Sequence, residues 1–298
     1  MNGSPDYLTH EKVSTNGIQL HVVQAGPLDG KPVLLLHGFP EFWYGWRNQI
    51  TPLAQAGFRV IVPDQRGYNL SDKPQSVKDY SIDRLARDIT GLLDALGYNR
   101  VFLAGHDWGA AVAWHVAATT PERLEKLVIL NVPHPAVMMG TLRSGLRQVL
   151  KSWYIFFFQM CGFSEWLLSR RDYDGLLHML KASAQPGTFN ADNLEQYRNA
   201  YRQPGALTAM LNWYRAAFHA GIRRTKNPAE ITPERINVPT LILWGVKDVA
   251  LSHEMAQPSA DLCVQSELVF FDRATHWVQH DEAEAVTHKM VNFFSTSN

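Results

Sequence analysis

The chain has few cysteines, no excess of either charge and no apolar run long enough to cross a bilayer. Its two cysteines, Cys161 and Cys263, lie far apart, which favours a reducing compartment and argues against a zinc site. Lys+Arg and Asp+Glu both number 28, so the basic surface of a nucleic-acid or anionic-membrane binder is not expected. The longest aromatic run, Trp153 to Phe158, is too short for a membrane span.

The N-terminal segment MNGSPDYLTHEKV also lacks the basic region and apolar stretch of a signal peptide. These absences predict a cytoplasmic protein without membrane insertion or a nucleic-acid partner. What is present, 46% hydrophobic and 19% charged residues in 298, is typical of a globular chain with a large core. A monomer and a homodimer are both compatible with this composition.

Short apolar runs alternate with helical patterns, which predicts βαβ units around a mostly parallel sheet flanked by helices. Runs without polar alternation indicate strands covered on both faces, whereas GIQLHVVQAG alternates and predicts an antiparallel edge strand. SIDRLARDITGLLDALG predicts a helix with Gly97 as its C-terminal cap. The candidate buried strands are Val33–Leu36, Val60–Val62, Val101–Ala104, Leu127–Leu130, Thr240–Trp244 and Leu268–Phe271.

No strand is predicted between LVILNVPHP and NVPTLILWG. This interval contains LKSWYIFFFQM, NLEQYRNAYRQ and GALTAMLNWYRAAF, which have helical spacing and many aromatic residues. Because the strand pattern resumes afterwards, we interpret residues 133–236 as a helical cap inserted into the α/β domain. The core domain then consists of residues 1–132 and 237–298.

The segment VFLAGHDWGAAVAW places Asp107 between Gly105 and Gly109, after a strand and before an alanine-rich helix. Glycines at these positions permit a tight turn that exposes the central side chain, and the following helix N-terminus favours negative charge. Asp107 could instead be only a helix N-cap. A carboxylate nucleophile forms an ester with carbon without needing a base, which suits an epoxide or an alkyl halide.

Hydrolysis of such an ester requires a base and an oxyanion site. His276 and Asp248 both follow predicted strands, where Asp248 could orient the imidazole. His280 lies among acidic residues and is expected on the solvated surface. The backbone N–H groups of Phe39 and Trp108 are the candidate oxyanion donors.

The loop that carries Phe39 begins with His37-Gly38-Phe39-Pro40. Its proline indicates a locked turn that could contain a cis bond. His37 is not expected to act as a second base. The loop could also be only a tight connection.

The chain resembles an epoxide hydrolase of the α/β-hydrolase superfamily over nearly its whole length. The resemblance is carried, in chain order, by HGFPEFWYGWRNQI, VPDQRGYNLSDKP, GHDWGAAVAW, LILWGVKDVAL and ATHWVQHDEAEAV. It implies an α/β-hydrolase fold, a nucleophile at Asp107, a charge-relay pair of Asp248 and His276, and oxyanion N–H groups at Phe39 and Trp108. It implies an enzyme that needs no metal or organic cofactor.

The resemblance also implies two cap tyrosines that hold the epoxide oxygen. SWYIFFFQ and LNWYRA match these motifs at Tyr154 and Tyr214. A phenol with a pKa of about 10 can hydrogen-bond to the alkoxide and then protonate it, although both tyrosines lie in apolar stretches that are typical of core. The tyrosines without a matching motif are interpreted as structural or surface residues: Tyr44, Tyr68, Tyr173, Tyr197 and Tyr201.

The predicted reaction converts a small-molecule epoxide and water to a vicinal diol through an ester on Asp107, which water activated by His276 hydrolyses. An apolar pocket in the cap favours a neutral aryl or alkyl epoxide. The residues expected to form this pocket are Trp153, Phe156, Phe157, Phe158, Met160 and Trp213.

Two alternatives use the same fold. A haloalkane dehalogenase would share Asp107, His276 and Asp248, but Phe39 stands where that family typically has an amide donor for halide. Fluoroacetate dehalogenases carry arginines at the positions of Trp108 and Ala111 here. A serine esterase is set aside because Asp107 replaces the serine, while a non-catalytic ligand-binding protein would keep the pocket without turnover.

Overall fold

The computed structural model describes residues 8–144, 153–224 and 235–296. Eight strands form one sheet in the order β1-β2-β4-β3-β5-β6-β7-β8. The β1–β2 and β2–β4 pairs are antiparallel and the others are parallel. The strands are β1 Thr9–Thr15, β2 Ile18–Ala25, β3 Lys31–Leu36, β4 Phe58–Pro63, β5 Val101–His106, β6 Leu124–Leu130, β7 Thr240–Gly245 and β8 Ser266–Phe271.

Helices lie between and after these strands, and several of them cover the sheet. Within the described ranges they are α1 Arg47–Gln55, α2 Ile82–Ala95, α3 Trp108–Thr119, α4 Pro135–Ser144, α5 Trp153–Phe157, α6 Phe163–Ala182, α7 Ala191–Tyr201, α8 Ala206–Arg224, α9 Ala256–Ala260, α10 Val278–Asp281 and α11 Ala283–Ser295. None of these helices combines the length and apolar character that crossing a membrane requires.

The sheet separates two hydrophobic cores because successive side chains of a strand point to opposite faces. On β3, Leu34 and Leu36 pack in the core that includes α2 and α3. Val33 and Leu35 pack in the core that includes α1 and α11. All four side chains are fully buried, as expected for a strand covered on both faces.

All six predicted strands are present, with ends that differ by a few residues, and five of them are buried. β8 lies at one edge of the sheet and its residues are exposed or half-buried, so the prediction that it is covered on both faces is wrong. GIQLHVVQAG forms β2 and pairs antiparallel on both sides, so the prediction that it is the edge strand is wrong. The edge on that side is β1, a strand the sequence patterns did not indicate. Its sequence, THEKVST, buries only Val13 and Thr15, so it carries no apolar run that would distinguish it from a loop.

The helix predicted from SIDRLARDITGLLDALG is confirmed as α2. Gly97 lies just beyond it with a φ of 78°, a left-handed conformation that glycine adopts without strain. The Tyr98 N–H donates to the Leu93 carbonyl, which closes the helix end in a Schellman arrangement. Gly97 therefore terminates α2 as predicted.

The described residues between β6 and β7 contain helices α4 to α8 and no strand. Residues 145–152 and 225–234 of that interval lie outside the described residues, and the division into a core and a helical cap with the bounds 133 and 236 stays a prediction. α6 was not predicted; it bends at residues 170–173, where the backbone leaves the helical conformation.

Candidate active site

Asp107 occupies the turn between β5 and α3. Its backbone has φ 49° and ψ −123°, a strained conformation for a residue other than glycine and one that is common at functional sites. A Cβ at Gly109 would lie 2.1 Å from the Leu36 carbonyl oxygen. The turn therefore needs glycine at this position, and the predicted tight strand-to-helix turn is present.

The Asp107 carboxylate points to the first loop and to a histidine instead of capping its own helix. The Phe39 N–H donates to Asp107 Oδ1 at 2.7 Å, and His276 Nε2 lies 3.5 Å from Asp107 Oδ2. The side chain forms no capping hydrogen bond with α3, so the N-cap interpretation fails. A Cβ at Gly38 would lie 2.3 Å from the Asp107 Cβ, which explains the glycine before Phe39.

The loop after β3 contains a cis Phe39–Pro40 bond, as the proline indicated. His37 is fully buried, and its Nε2 accepts a hydrogen bond from the Gln65 N–H at 3.0 Å. Burial lowers the pKa of His37. The role of the Trp108 N–H as second oxyanion donor stays a prediction.

His276 follows β8 and is held by Asp248, which follows β7. His276 Nδ1 lies 2.8 Å from Asp248 Oδ2, and the same oxygen accepts a hydrogen bond from Asn131 at 2.8 Å. Oδ1 of Asp248 accepts from the backbone N–H groups of Ala250 and Leu251. A carboxylate with this many donors keeps its charge and fixes the imidazole orientation.

The charge of His276 and those of Asp107 and Asp248 stabilise one another. Burial opposes the charged form of His276, but the Asp248 and Asp107 carboxylates outweigh it and raise the pKa of the imidazole. Burial alone would raise the pKa of Asp107, but the hydrogen bond and charge of His276 hold it below its ordinary value. The site therefore contains an ionised carboxylate beside an imidazolium.

Tyr154 on α5 and Tyr214 on α8 lie together, within reach of the charge of Asp107. Their ring centroids are 5.8 Å apart, and the Tyr214 ring packs edge-on against Phe39 at 5.2 Å and Trp108 at 5.0 Å. Burial, followed by the charge of Asp107, raises the phenol pKa of both tyrosines. Both phenols are therefore protonated donors.

The expected aromatic pocket is only partly present. Phe158 is buried and packs on Phe39 and Tyr214. Trp153, Phe156 and Met160 are 65%, 56% and 51% exposed, so the expectation that they line the pocket is wrong. The aromatic run in the sequence did not indicate which of its side chains face inward, because a five-residue helix turns some of them towards solvent.

Trp213 also has a different role from the one expected. It is 1% exposed, and its indole N–H donates to the Arg66 carbonyl at 2.9 Å. This bond joins α8 to the core beside the site. Phe157 is partly buried against the same core.

The prediction that His280 lies on the solvated surface is wrong. His280 is 8% exposed, and its Nε2 lies 2.7 Å from Glu41 Oε1. Tyr197 of α7 donates to the same oxygen at 2.5 Å, and Gln279 donates to Glu41 Oε2 at 3.0 Å. At His280, α10 faces the protein interior. The acidic residues that neighbour His280 in the sequence therefore did not indicate that its side chain is exposed.

Sequence reasoning missed Glu41, His106 and Gln279, which lie directly behind the site. Gln279 Nε2 is 3.1 Å from His106 Nδ1, and His106 Nε2 is 2.8 Å from the His276 carbonyl oxygen. Burial would raise the pKa of Glu41, but His280 and His106 hold it well below its ordinary value. The sequence signal that could have indicated these residues was position, because Glu41 directly follows Pro40 and His106 directly precedes Asp107.

The tyrosines without a motif have structural positions. Tyr68, Tyr197 and Tyr201 are at most 1% exposed. Tyr173 packs against Tyr201 at 5.8 Å, and the Tyr44 hydroxyl accepts a hydrogen bond from Asn193 at 3.1 Å.

Comparisons with known proteins identify the family of this chain. Residues 31–283 match the model of a family described as the alpha/beta hydrolase fold. The chain is 47% identical over 281 residues to the AB hydrolase superfamily protein YfhM of Bacillus subtilis (strain 168), covering 94% of this chain and 96% of that protein. It is 37% identical over 284 residues to epoxide hydrolase 1 of Caenorhabditis elegans, covering 93% and 68%.

A solved structure shares the whole architecture. It is a mutant epoxide hydrolase from Bacillus megaterium in complex with its naphthyloxy-propane-1,2-diol product, 32% identical to this chain. The TM-score is 0.86, and the match covers 96% of this chain and all of the other.

Proposed function

This chain belongs to the α/β-hydrolase family, and from that premise we propose that it is an epoxide hydrolase that acts through a covalent ester on Asp107. Its reactants are a small-molecule epoxide and water, and its product is a vicinal diol. The single observation that carries the proposal is the position of the Asp107 carboxylate. It lies between the Phe39 N–H and His276, and burial together with the Asp107 charge raises the phenol pKa of both Tyr154 and Tyr214.

In the first step, an Asp107 oxygen attacks one epoxide carbon. The carbon–oxygen bond of the ring breaks, and its electron pair stays on the oxygen. Tyr154 and Tyr214 hydrogen-bond to that oxygen, and one of them supplies a proton. Their raised pKa values keep both phenols protonated until this charge develops.

In the second step, water hydrolyses the ester. Esterification removes the negative charge of Asp107, so one of the groups that raise the pKa of His276 disappears. His276 then gives up its proton more readily, and that proton replaces, by way of water, the one the tyrosine lost. The neutral imidazole, held by Asp248, takes a proton from a water molecule whose oxygen attacks the ester carbonyl carbon. The carbonyl oxygen becomes an oxyanion against the Phe39 N–H. The bond between that carbon and the diol oxygen then breaks, His276 returns its proton to the leaving oxygen, and the Asp107 carboxylate is restored.

The substrate class follows from the groups around Asp107. Phe39, Trp108, Phe158 and the two phenol rings make the surroundings largely aromatic, which supports a neutral aryl or alkyl epoxide. The related structure from Bacillus megaterium holds an aryl ether diol as its product. A cytoplasmic location and a monomeric or homodimeric state remain predictions.

The experiment is the intact mass of a His276→Gln variant after separate exposure to styrene oxide and to a 1-haloalkane. We expect the mass to increase by one whole epoxide, and peptide digestion to map the increase to Asp107. Labelling by the haloalkane alone, with release of halide, would assign the protein as a dehalogenase. An unlabelled variant together with a wild-type protein that forms no diol from larger aryl epoxides would favour a binding protein.

A further inference from the structure

We propose that Arg215 is a positioning residue that holds Tyr154 and Tyr214 at the spacing needed to open the epoxide; this inference rests on the proposed function. Arg215 directly follows Tyr214 on α8. Its side chain is 3% exposed, yet it points into the cap and not into the sheet core. A buried guanidinium beside a catalytic tyrosine therefore requires an explanation.

All five N–H donors of the Arg215 guanidinium are used. Nε donates to the Phe158 carbonyl at 2.9 Å. Nη1 donates to Glu165 Oε1 at 2.7 Å and to Asn212 Oδ1 at 3.1 Å. Nη2 donates to Glu165 Oε2 at 3.0 Å and to Ser164 Oγ at 3.2 Å. The guanidinium orientation is therefore fixed.

The Phe158 carbonyl connects this guanidinium to Tyr154. The Phe158 N–H donates to the Tyr154 carbonyl at 2.9 Å, so the two residues form one helical turn. The Phe158 ring lies 5.7 Å from the Tyr154 ring and 4.9 Å from the Tyr214 ring. Arg215 thus holds the segment of one tyrosine against the helix of the other.

The five-residue helix α5 is joined to α8 by ring contacts and by the hydrogen bond from Arg215. The Phe156 ring lies 5.7 Å from the Phe218 ring, and the Phe158 carbonyl, one residue beyond α5, accepts the hydrogen bond from Arg215. Of these two contacts, only the second fixes the backbone of the tyrosine segment. Glu165 completes the arrangement, because its Oε2 also accepts from the Gly162 N–H at 2.8 Å. A planar, bidentate guanidinium fits these acceptors, whereas the point charge of lysine does not.

The test compares Arg215→Lys and Arg215→Met with the wild type in single-turnover reactions with styrene oxide. Ester formation and ester breakdown are measured separately by quenched-flow mass spectrometry. Because the tyrosines act only on the epoxide oxygen, we expect ester formation to slow by about 10- to 100-fold. Ester breakdown should stay within about 3-fold of the wild type.

The matched control is Arg59→Met. Arg59 is a half-buried arginine of β4 that donates to the Gly26 carbonyl at 3.0 Å and to Gln24 Oε1 at 2.8 Å, within the sheet and outside the cap. This variant should lower the melting temperature and leave ester formation within about 3-fold. If Arg215→Met does not fold, the same two rates are compared between the wild type, Arg215→Lys and Glu165→Gln.

A double-mutant cycle with Tyr214→Phe separates positioning from general packing. If Arg215 acts through the tyrosines, Arg215→Lys should slow ester formation much less in the Tyr214→Phe background than in the wild type. Equal slowing of both steps, or fully additive losses, would overturn the inference. A wild-type protein that forms no ester contradicts the proposed function itself, whereas normal ester formation by Arg215→Lys contradicts only the role of Arg215.

Discussion

The two sides of the candidate site are built in different ways. On the sheet side, Asp107, Asp248 and His276 lie in the connections that follow β5, β7 and β8, and backbone groups or buried partners hold them. On the cap side, Tyr154 and Tyr214 lie on helices, where aromatic contacts and the Arg215–Glu165 pair position them. The first arrangement is local to each strand end, and the second depends on contacts between separate helices.

This difference divides the chemistry as well. In the proposed mechanism, the sheet side makes and breaks the ester, while the cap side acts on the epoxide oxygen alone. Changes on the sheet side should therefore stop turnover, whereas changes on the cap side should slow one step.

The largest effect is expected for Asp107→Ala, which removes the attacking oxygen. We expect diol formation to fall by about 10⁴-fold or more, because no other described group can form the ester. The measurement is diol release from styrene oxide, with the urea unfolding midpoint as a check on the fold. Turnover within about 10-fold of the wild type would remove Asp107 from the mechanism.

The next effect is expected for the tyrosines. Each of Tyr154→Phe and Tyr214→Phe should slow ester formation by about 10- to 100-fold, and the double variant should be slower still. Ester breakdown, measured in the same single-turnover reaction, should change little. Tyr201→Phe is the control, since Tyr201 is buried but belongs to neither motif. If breakdown slowed as much as formation, the cap would contribute to both steps.

The smallest effect concerns stability and pH. Burial would raise the pKa of Glu165, but the Arg215 guanidinium lowers it to about 2 from an ordinary value of 4.5. A lowered carboxyl pKa stabilises the folded state above the ordinary value, and this contribution is lost as the pH falls towards about 2. Because Glu165 is only partly buried, solvent screening reduces this contribution to about 1–2 kcal/mol.

Urea unfolding between pH 6 and pH 2.5 checks this expectation. The stability difference between the wild type and Glu165→Gln should be greatest at pH 6 and should shrink below about pH 4.5. Asp29→Asn, at an exposed turn, serves as the reference. A constant difference across this range would mean that the Glu165 charge does not stabilise the cap.

Sequence patterns predicted the parts of the molecule that depend on local order. The six strands with apolar runs, the turn at Asp107 and the cap of α2 at Gly97 could be predicted because these features involve neighbouring residues. The edge strand β1 could not be predicted because its sequence, THEKVST, has no apolar run, whereas the other edge strand, β8, has one. α6 was missed because its helical spacing is broken at residues 170–173.

The sequence by itself determined which residue types end the strands, and hence the chemistry available at the edge of the sheet. The tertiary structure decided which side of a helix faces inward. It buried His280 against Glu41, exposed Trp153 and Phe156, and placed Arg215 between the segments of the two tyrosines. Strand ends in a parallel sheet meet at one edge whatever surrounds them. Which side chains of a short helix face inward depends instead on the surfaces that pack against the helix.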